Sequence, residues 1–167
     1  VRESQNDFHV VLADARHLPL RNKSAELCCL FELKEHFSKA DGARLLGELK
    51  LVLTNDGYLG LSTPNIKSFT SVTGRILYGV LSKKWNGGNP AHVHIYNPAE
   101  IGQMLMDSGF YVMKSFGFWF FPQGLFYLDA RLRSRRFWQL ILKSSWSGSK
   151  LGLLLGFDTV ILARLQR

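Results

Sequence analysis

Short apolar runs and one stretch of helical periodicity alternate along residues 10–65, and this rhythm constrains the fold more than any other feature. Apolar runs near residues 8–13, 26–31 and 58–62 each end in polar or turn-forming residues. The run at 26–31 has no polar alternation, which is typical of a strand buried on both faces. Between the second and third runs, leucines recur at helical spacing across residues 40–53. This order predicts a largely parallel α/β sheet with functional residues at the carboxyl ends of its strands.

The remaining pattern continues the same architecture with two interruptions. We expect a helix over residues 97–108, since Pro98 suits a first helical turn, followed by strands at 110–116 and 153–165. Residues 66–96 break the rhythm and are interpreted as an inserted lid with a short helix near 72–81. Residues 117–150 form a second insertion that mixes aromatic and basic residues. The sequence therefore predicts a single domain over 1–167 with two insertions.

Composition and cysteine use favour a folded protein in a reducing compartment. The 167 residues are 46% hydrophobic and 20% charged, which is ordinary for a globular domain. Cys28 and Cys29 are adjacent and cannot easily bridge each other, and no paired-cysteine spacing indicates a zinc site. No signal peptide opens the chain and no apolar run is long enough to span a membrane, so a cytoplasmic location is expected. The chain begins with valine, and we expect a truncated or processed product.

Positive charge is concentrated in the last third of the chain. The net charge is +8, and the segment from Lys114 onward carries nine Lys or Arg against two Asp or Glu. A basic segment beside aromatics favours contact with an anionic membrane surface or an acidic partner. Two alternatives remain open for residues 117–150: an RNA-binding patch, and a helix packed on the sheet with a solvated basic edge.

Several short motifs occur in a fixed order, and together they carry a family resemblance. They are Asp14-Ala15, Glu35-His36, Gly57, Thr63-Pro64-Asn65, His92 and Gly109-Phe110. In this order the chain resembles the C-terminal portion of a class I S-adenosylmethionine-dependent methyltransferase, of the ubiquinone-biosynthesis-like, methyltransferase type 11 subgroup. The resemblance implies strands three to seven of a Rossmann-like sheet whose last strand is antiparallel. The family's first strand, its glycine-rich loop and the acidic residue after its second strand have no counterpart here, which implies a longer or complemented protein.

The resemblance also assigns cofactor contacts. It implies that Asp14 accepts a hydrogen bond from the adenine amino group of S-adenosylmethionine and that the backbone N–H of Ala15 contacts the ring. It implies that backbone carbonyls at Leu30 and Phe31 face the methionine part of the cofactor. The alternatives are that Asp14 only caps a turn and that Phe31 is a core residue.

Candidate catalytic and metal-binding residues follow the second predicted strand. Spacings of three and four place Glu32, Glu35 and His36 on one side of a helix start, where they could bind a divalent cation or hold a hydroxyl group for deprotonation. The alternative is a solvated helix start with acidic residues at its positive end. The resemblance implies that His92 approaches from the lid, either as a base or as a partner of His36 in a metal site. A structural histidine is the alternative for His92.

The expected function is transfer of a methyl group from S-adenosylmethionine to a small-molecule or lipid-like acceptor, with His36 or His92 as base under the lid at 66–96. Two other classes remain open: a non-catalytic binding module that contacts a membrane or a partner protein, and an RNA methyltransferase. The place of the missing strands predicts an exposed sheet edge, through which the chain could form an oligomer. Peripheral membrane contact through 117–150 is a further expectation.

Overall fold

The computed structural model describes residues 9–68, 71–72, 75–76, 91–118 and 156–166. Strand β1 covers Ala25–Phe31, a short 3-10 turn covers Lys34–His36, helix α1 covers Lys39–Val52 and strand β2 covers Leu53–Pro64. Helix α2 covers Pro98–Asp107, strand β3 covers Phe110–Phe118 and strand β4 covers Asp158–Leu165. The four strands form one sheet in the order β1-β2-β4-β3.

The first half of the described chain is a β-α-β unit. β1 and β2 run parallel, with Cys28 opposite Leu59 and Leu30 opposite Leu61, and α1 connects them. The helix begins where Ser38 Oγ accepts the backbone N–H of Asp41 at 3.0 Å, which satisfies one of its open amides. Parallel strands need such a crossover connection, and here it also supplies an apolar helix face to the sheet.

The second half of the sheet is antiparallel. Asn97 caps α2 by accepting the backbone N–H groups of Ala99 and Glu100, and Pro98 occupies the first turn. Gly109 adopts a positive φ of 87° between α2 and β3, a conformation that favours glycine. β4 lies between β2 and β3 and is antiparallel to both. The predicted antiparallel final strand is therefore confirmed.

One face of this sheet carries the core. Side chains of α1, α2 and the strands form a single buried cluster, in which Leu46, Leu59 and Ile101 are fully enclosed. On the opposite face, Leu27 and Phe31 are 56% and 59% exposed. The prediction that the 26–31 strand is buried on both faces is wrong, because both α-helices contribute to the core on the same side of it.

The predicted strand at 8–13 is not formed over its described residues 9–13, and Val10 and Leu12 are exposed. In a sheet of this topology the strand order is 3-2-1-4-5, so the first and second strands lie between the third strand and the fourth. β1 and β2 occupy the fourth and fifth positions, so the described residues provide no neighbouring strand with which 9–13 could pair.

The other element predictions agree with the structure to within a few residues, apart from two strand starts: β2 begins at Leu53 rather than at 58, and β4 begins at Asp158 rather than at 153. Residues 71–72 and 75–76 are helical, while the rest of the helix predicted at 72–81 lies outside the described residues. Apart from Gly117 and Phe118 of β3, the predicted 117–150 insertion also lies outside them, so the domain organisation stays a prediction. Within the described residues, no helix has the length and hydropathy needed to cross a membrane.

Candidate active site

Polar residues from three elements meet at one edge of the sheet. The parallel strands β1 and β2 both end there, at Phe31 and Pro64. Because β4 is antiparallel to β2, its first residue, Asp158, pairs with Pro64 at the same edge. The carboxyl ends of parallel strands are the usual place for ligand sites in open α/β sheets.

Glu32 forms the turn that leaves β1. Its φ of 49° is in the left-handed region, which is uncommon for a residue with a side chain. The turn is held by Ser62, whose backbone oxygen accepts the Glu32 N–H at 3.1 Å and whose hydroxyl donates to Glu32 Oε1 at 2.6 Å. Burial raises the pKa of the Glu32 carboxyl and the nearby Glu35 raises it further, while the Ser62 hydrogen bond lowers it. Such strained residues persist where the surrounding contacts fix them, often at functional sites.

Glu35 is the most deeply buried acid of the site, with 1% of its side chain exposed. Thr63 donates its hydroxyl to Glu35 Oε2 at 3.1 Å. The other oxygen, Oε1, is buried and has no hydrogen-bond partner among the described residues. The backbone oxygen of Glu35 accepts the N–H groups of Val93 and His94 at 2.8 and 3.1 Å. Glu35 therefore joins the 3-10 turn both to β2 and to the segment that carries the second histidine.

His36 and His92 lie side by side, with ring centroids 5.0 Å apart in an edge-to-face arrangement. His36 Nδ1 is 3.2 Å from the backbone oxygen of Ala91. A carbonyl oxygen only accepts, so this contact favours a proton on Nδ1 and leaves the lone pair of a neutral ring on Nε2. Nε2 lies 3.9 Å from Glu35 Oε1. One ligand atom from each of Glu35, His36 and His92 falls within 4.8 Å of the others, so the structure brings the two predicted histidines together.

One residue of the 3-10 turn is a buried lysine. Lys34 is fully buried, and its ammonium group donates to the hydroxyl of Tyr96 and lies 4.3 Å from the centre of that ring. Burial lowers the pKa of Lys34 to about 8, although Glu35 and Glu100 oppose this. Burial also raises the pKa of the Tyr96 hydroxyl to about 12. Lys34 and Tyr96 thus join the turn carrying His36 to the segment that follows His92.

Asp158 is a third acid at this edge, and the sequence analysis missed it. Its Oδ1 is buried without a hydrogen-bond partner among the described residues. Burial, followed by the charges of Glu32 and Glu35, raises the pKa of Asp158 to about 8. In the sequence Asp158 is only an isolated acid inside the last predicted strand, and its proximity to Glu32 depends on the antiparallel pairing of β4.

The predicted adenine contact lies on a different turn. The carboxylate of Asp14 forms an ion pair with Arg16 at 2.7 Å, and Arg16 also reaches Asp41 of α1 at 3.4 Å. Hydrogen bonds from Arg16 hold the pKa of Asp14 below its usual range. The neighbouring Ala15 packs against the core cluster. Asp14 is therefore placed near the start of α1 by its own loop and by the helix.

The two residues predicted to contact the methionine part of the cofactor lie at the end of β1. Leu30 is buried in the core and Phe31 is largely exposed. The Phe31 ring packs over Gly60: a Cβ atom added at Gly60 would lie 3.6 Å from the nearest atom of that ring. Phe31 is therefore not the core residue of the alternative interpretation, and both residues directly precede the acidic turn at Glu32.

Comparison with known proteins supports the resemblance seen in the sequence. Residues 1–61 match the family model described as a methyltransferase domain. A probable S-adenosylmethionine-dependent methyltransferase of Mycobacterium tuberculosis (strain H37Rv) is 30% identical over 131 residues, which cover 78% of this chain and 43% of the relative.

Solved structures show the same fold. A methyltransferase of Thermotoga maritima, described as a possible histamine N-methyltransferase, matches with a TM-score of 0.63 at 16% identity. The match covers 95% of this chain and 64% of the Thermotoga maritima chain. An S-adenosylmethionine-dependent methyltransferase of Archaeoglobus fulgidus has a TM-score of 0.60 at 20% identity and covers 96% of this chain and 69% of its own.

The comparisons show which fold the chain has. The chain has the Rossmann-like fold of class I S-adenosylmethionine-dependent methyltransferases, and its first 61 residues match their methyltransferase domain. The recognition made from the sequence motifs is confirmed. The chain spans less than half the length of the curated relative that it matches, 43%.

Proposed function

We propose that this chain is part of an S-adenosylmethionine-dependent methyltransferase that acts on a small-molecule or lipid-like acceptor. The observation that carries the proposal is the cluster of Glu35, His36 and His92, whose ligand atoms lie within 4.8 Å of one another. This cluster is reached directly after the end of β1, where the family resemblance assigns the methionine part of the cofactor to Leu30 and Phe31. A proton acceptor and a methyl donor would then occupy the same sheet edge.

The cofactor supplies the chemistry, because its sulfonium carbon is an electrophile that needs no further activation by the protein. We assign Asp14 and Ala15 to the adenine and the backbone of Leu30 and Phe31 to the methionine part. Asp14 is bound to Arg16 in this structure. Both carboxylate oxygens already accept from Arg16, but 44% of the side chain is exposed, so an adenine amino group can add one further hydrogen bond without breaking the ion pair.

His36 and His92 are the proposed bases. For this role the His36 ring would carry its proton on Nδ1, toward the carbonyl oxygen of Ala91, and leave Nε2 as the acceptor. There it can take the proton from an acceptor hydroxyl or amine while the acceptor's lone pair bonds to the methyl carbon and the sulfur keeps the electrons of the broken bond. Glu35 lies beside Nε2 and stabilises the imidazolium that results.

Calorimetry with S-adenosylmethionine tests the cofactor assignment. Binding to this chain, or to a version extended at its N-terminus to the length of the curated relatives, supports the enzyme. In whichever of the two proteins binds the cofactor, Asp14→Asn is expected to weaken binding by about tenfold. The adenine amino group then donates to a neutral amide oxygen instead of a charged carboxylate. Failure of both proteins to bind would favour the non-catalytic module instead.

The base assignment has its own test. Tritiated methyl transfer to a panel of hydroxyl and amine acceptors is expected to fall by about 10²–10⁴-fold in His36→Gln or His92→Gln, with cofactor affinity unchanged. His94→Gln is the matched control, since His94 bonds Glu100 at 3.0 Å rather than the cluster. Equal losses in all three variants would remove the assignment of His36 and His92 as bases.

A divalent cation at the same cluster is a second proposal, and one observation favours it. Glu35 Oε1 is buried without a hydrogen-bond partner among the described residues, and two imidazoles lie beside it. A carboxylate with two histidines suits zinc, manganese or iron(II). Glu32, the third predicted ligand, is not part of this cluster. Such an ion would polarise the acceptor oxygen. Titration with manganese chloride is expected to show binding that Glu35→Gln weakens and that Glu100→Gln does not.

The membrane and RNA alternatives concern residues 117–150, of which 119–150 lie outside the described part of the chain. Peripheral membrane contact, RNA binding and a cytoplasmic location therefore stay predictions from the sequence.

A further inference from the structure

The site edge holds more acidic oxygens than the proposed chemistry uses. Glu32, Glu35 and Asp158 arrive from the β1 turn, the 3-10 turn and the start of β4. Three consecutive residues at the end of β2 hold them at this edge: Ser62 donates to Glu32 at 2.6 Å, Thr63 donates to Glu35 at 3.1 Å, and Pro64 pairs with Asp158. We call these three carboxyl groups the acidic triad.

Two oxygens of the acidic triad lack a hydrogen-bond donor. Glu35 Oε1 and Asp158 Oδ1 are buried and have no hydrogen-bond partner among the described residues, and the Glu35 side chain is 99% enclosed, with 1% exposed. Buried polar atoms are normally paired, so two unpaired carboxyl oxygens at one edge indicate that a partner is missing. Lys34 is the nearest buried cation on this turn, and its ammonium group is directed at Tyr96 instead.

We propose that the acidic triad binds the positively charged nitrogen of an amine acceptor. This inference rests on the proposed methyltransferase function and names its substrate class. An alkylammonium group has up to three N–H donors and no acceptor, which matches a set of carboxyl oxygens. Glu32 Oε1 already accepts from Ser62, so its second oxygen is the one left for the ligand.

A small metal ion fits the triad less well than an ammonium group. Among the described residues, the cluster with ligand atoms within 4.8 Å of one another contains Glu35, His36 and His92, and neither Glu32 nor Asp158 belongs to it. Metal–oxygen bonds of roughly 2.0–2.6 Å require a tighter set. Hydrogen bonds from a charged nitrogen are longer, about 2.7–2.9 Å, and radiate from a larger group.

The position of the triad also suits an amine acceptor in the reaction. Glu35 belongs both to the triad and to the histidine cluster, 3.9 Å from His36 Nε2. A nitrogen held by the triad would therefore lie near a base. It would also lie beside Leu30 and Phe31, where the methyl donor is assigned. The triad would select the acceptor by charge, whereas the histidines would act on its proton.

A matched pair of small ligands tests the inference on the chain as it exists. Benzylammonium and benzyl alcohol have the same shape and differ in charge. Titration of the ¹⁵N-labelled chain is expected to shift the amide signals of Glu32, Ser62 and Asp158 with benzylammonium. The alcohol is expected to bind at least about tenfold more weakly, as for loss of a hydrogen bond to a charged group.

Isosteric variants connect the binding to the triad. Glu32→Gln and Asp158→Asn are each expected to weaken benzylammonium binding by about tenfold. Asp107→Asn is the control, because Asp107 is an exposed acid of α2 that bonds Gln103. The amide spectrum shows whether each variant keeps the fold.

Three results would overturn the inference: equal binding of the alcohol, unchanged binding by both triad variants, or displacement of benzylammonium by micromolar manganese with shifts centred on His36 and His92. These outcomes are separate from the proposed function. If the amine fails while the calorimetry with S-adenosylmethionine succeeds, the methyltransferase stands and only the acceptor class is lost. If the cofactor fails to bind, the proposed function itself is lost.

Discussion

Lys34 is buried in the interior, where charged side chains are rarely found. Its side chain is fully enclosed, its ammonium group bonds Tyr96 and its neighbour in sequence is the buried Glu35. Burying a lysine costs free energy that a hydrogen bond and a ring face only partly offset. Burial of Lys34 therefore lowers the free energy of unfolding. Its contacts with Tyr96 nevertheless hold the Glu35–His36 turn in place and so help to fix the geometry of the site.

The lysine has a measurable effect on stability against pH. Its pKa is about 8 in the folded chain and 10.5 in the unfolded chain. Between these values the unfolded state binds more protons, so the free energy of unfolding rises as pH increases from about 8 to about 10.5. We expect this rise to be about 1–3 kcal/mol and to disappear in Lys34→Met, measured by urea denaturation. An identical pH slope in the variant would contradict the assignment.

Asp158 gives the opposite slope. Its carboxyl has a pKa of about 8 when folded against 3.8 in the unfolded chain, so between these values the folded state binds more protons. The free energy of unfolding therefore falls as pH increases from about 4 to about 8. We expect Asp158→Asn to gain about 2–4 kcal/mol on the wild type over this range. Asp107→Asn, an exposed control, should show a constant difference from the wild type.

At the scale of single elements, α1 contains two glycines with opposite surroundings. A Cβ at Gly42 would overlap the ammonium end of Lys34, whereas a Cβ at Gly47 meets nothing within 4 Å. Gly42→Ala is expected to lower the free energy of unfolding by about 1–3 kcal/mol because the buried lysine must move. Gly47→Ala, the matched control, is expected to raise it by about 0.5–1 kcal/mol through helix propensity.

The cause of the Gly42 effect can be isolated. Lys34→Ala opens the space that the alanine methyl needs, so the double variant Lys34→Ala/Gly42→Ala should lose less than the sum of the two single changes. If the loss in free energy of unfolding of the double variant equals the sum of the losses of the two single variants, the lysine is not the obstacle.

Local sequence patterns were sufficient to predict most elements. The leucine spacing predicted α1 at 40–53, and the structure places it at Lys39–Val52. Asn97 and Pro98 predicted the start of α2 from capping chemistry alone. The strand at 8–13 failed because an apolar run becomes a strand only when a neighbour pairs with it. The strand pattern is local, but the pairing is a property of the sheet.

The candidate site was predicted only in part, for a related reason. Glu32, Glu35 and His36 were proposed from helical spacing, but the structure has a 3-10 turn over Lys34–His36 and a left-handed conformation at Glu32. His92 required the family resemblance. Asp158 carries no local signal, since its role depends on the antiparallel register that sets it opposite Pro64. Lys34 was missed because a lysine beside two acids is indistinguishable in sequence from a solvated one.

At the scale of the whole molecule, the exposed apolar face of the described sheet is the feature that most favours self-association. Leu27 and Phe31 are more than half exposed, and Tyr58 beside them is 37% exposed. Within the described chain β1 is the end strand of the sheet and pairs with β2 alone. An apolar face beside a free strand edge favours association, in agreement with the predicted oligomer.

The double variant Leu27→Gln/Phe31→Gln tests this association. It is expected to reduce the fluorescence of a bound hydrophobic dye by about half and to shift the chain toward monomer in sedimentation velocity. Met106→Gln on α2 is the control, because Met106 is 49% exposed but lies away from this face. An unchanged sedimentation profile in both variants would place any self-association elsewhere.

The backbone oxygen of Glu35 holds the amides of Val93 and His94, and Asn65 forms a bridge with Tyr96. These anchors lie on either side of residues 67–90, next to the proposed bases His36 and His92. If the proposed methyltransferase activity is found, replacement of residues 67–90 by those of a relative is expected to change which acceptor is methylated, while the anchored residues on either side keep their places.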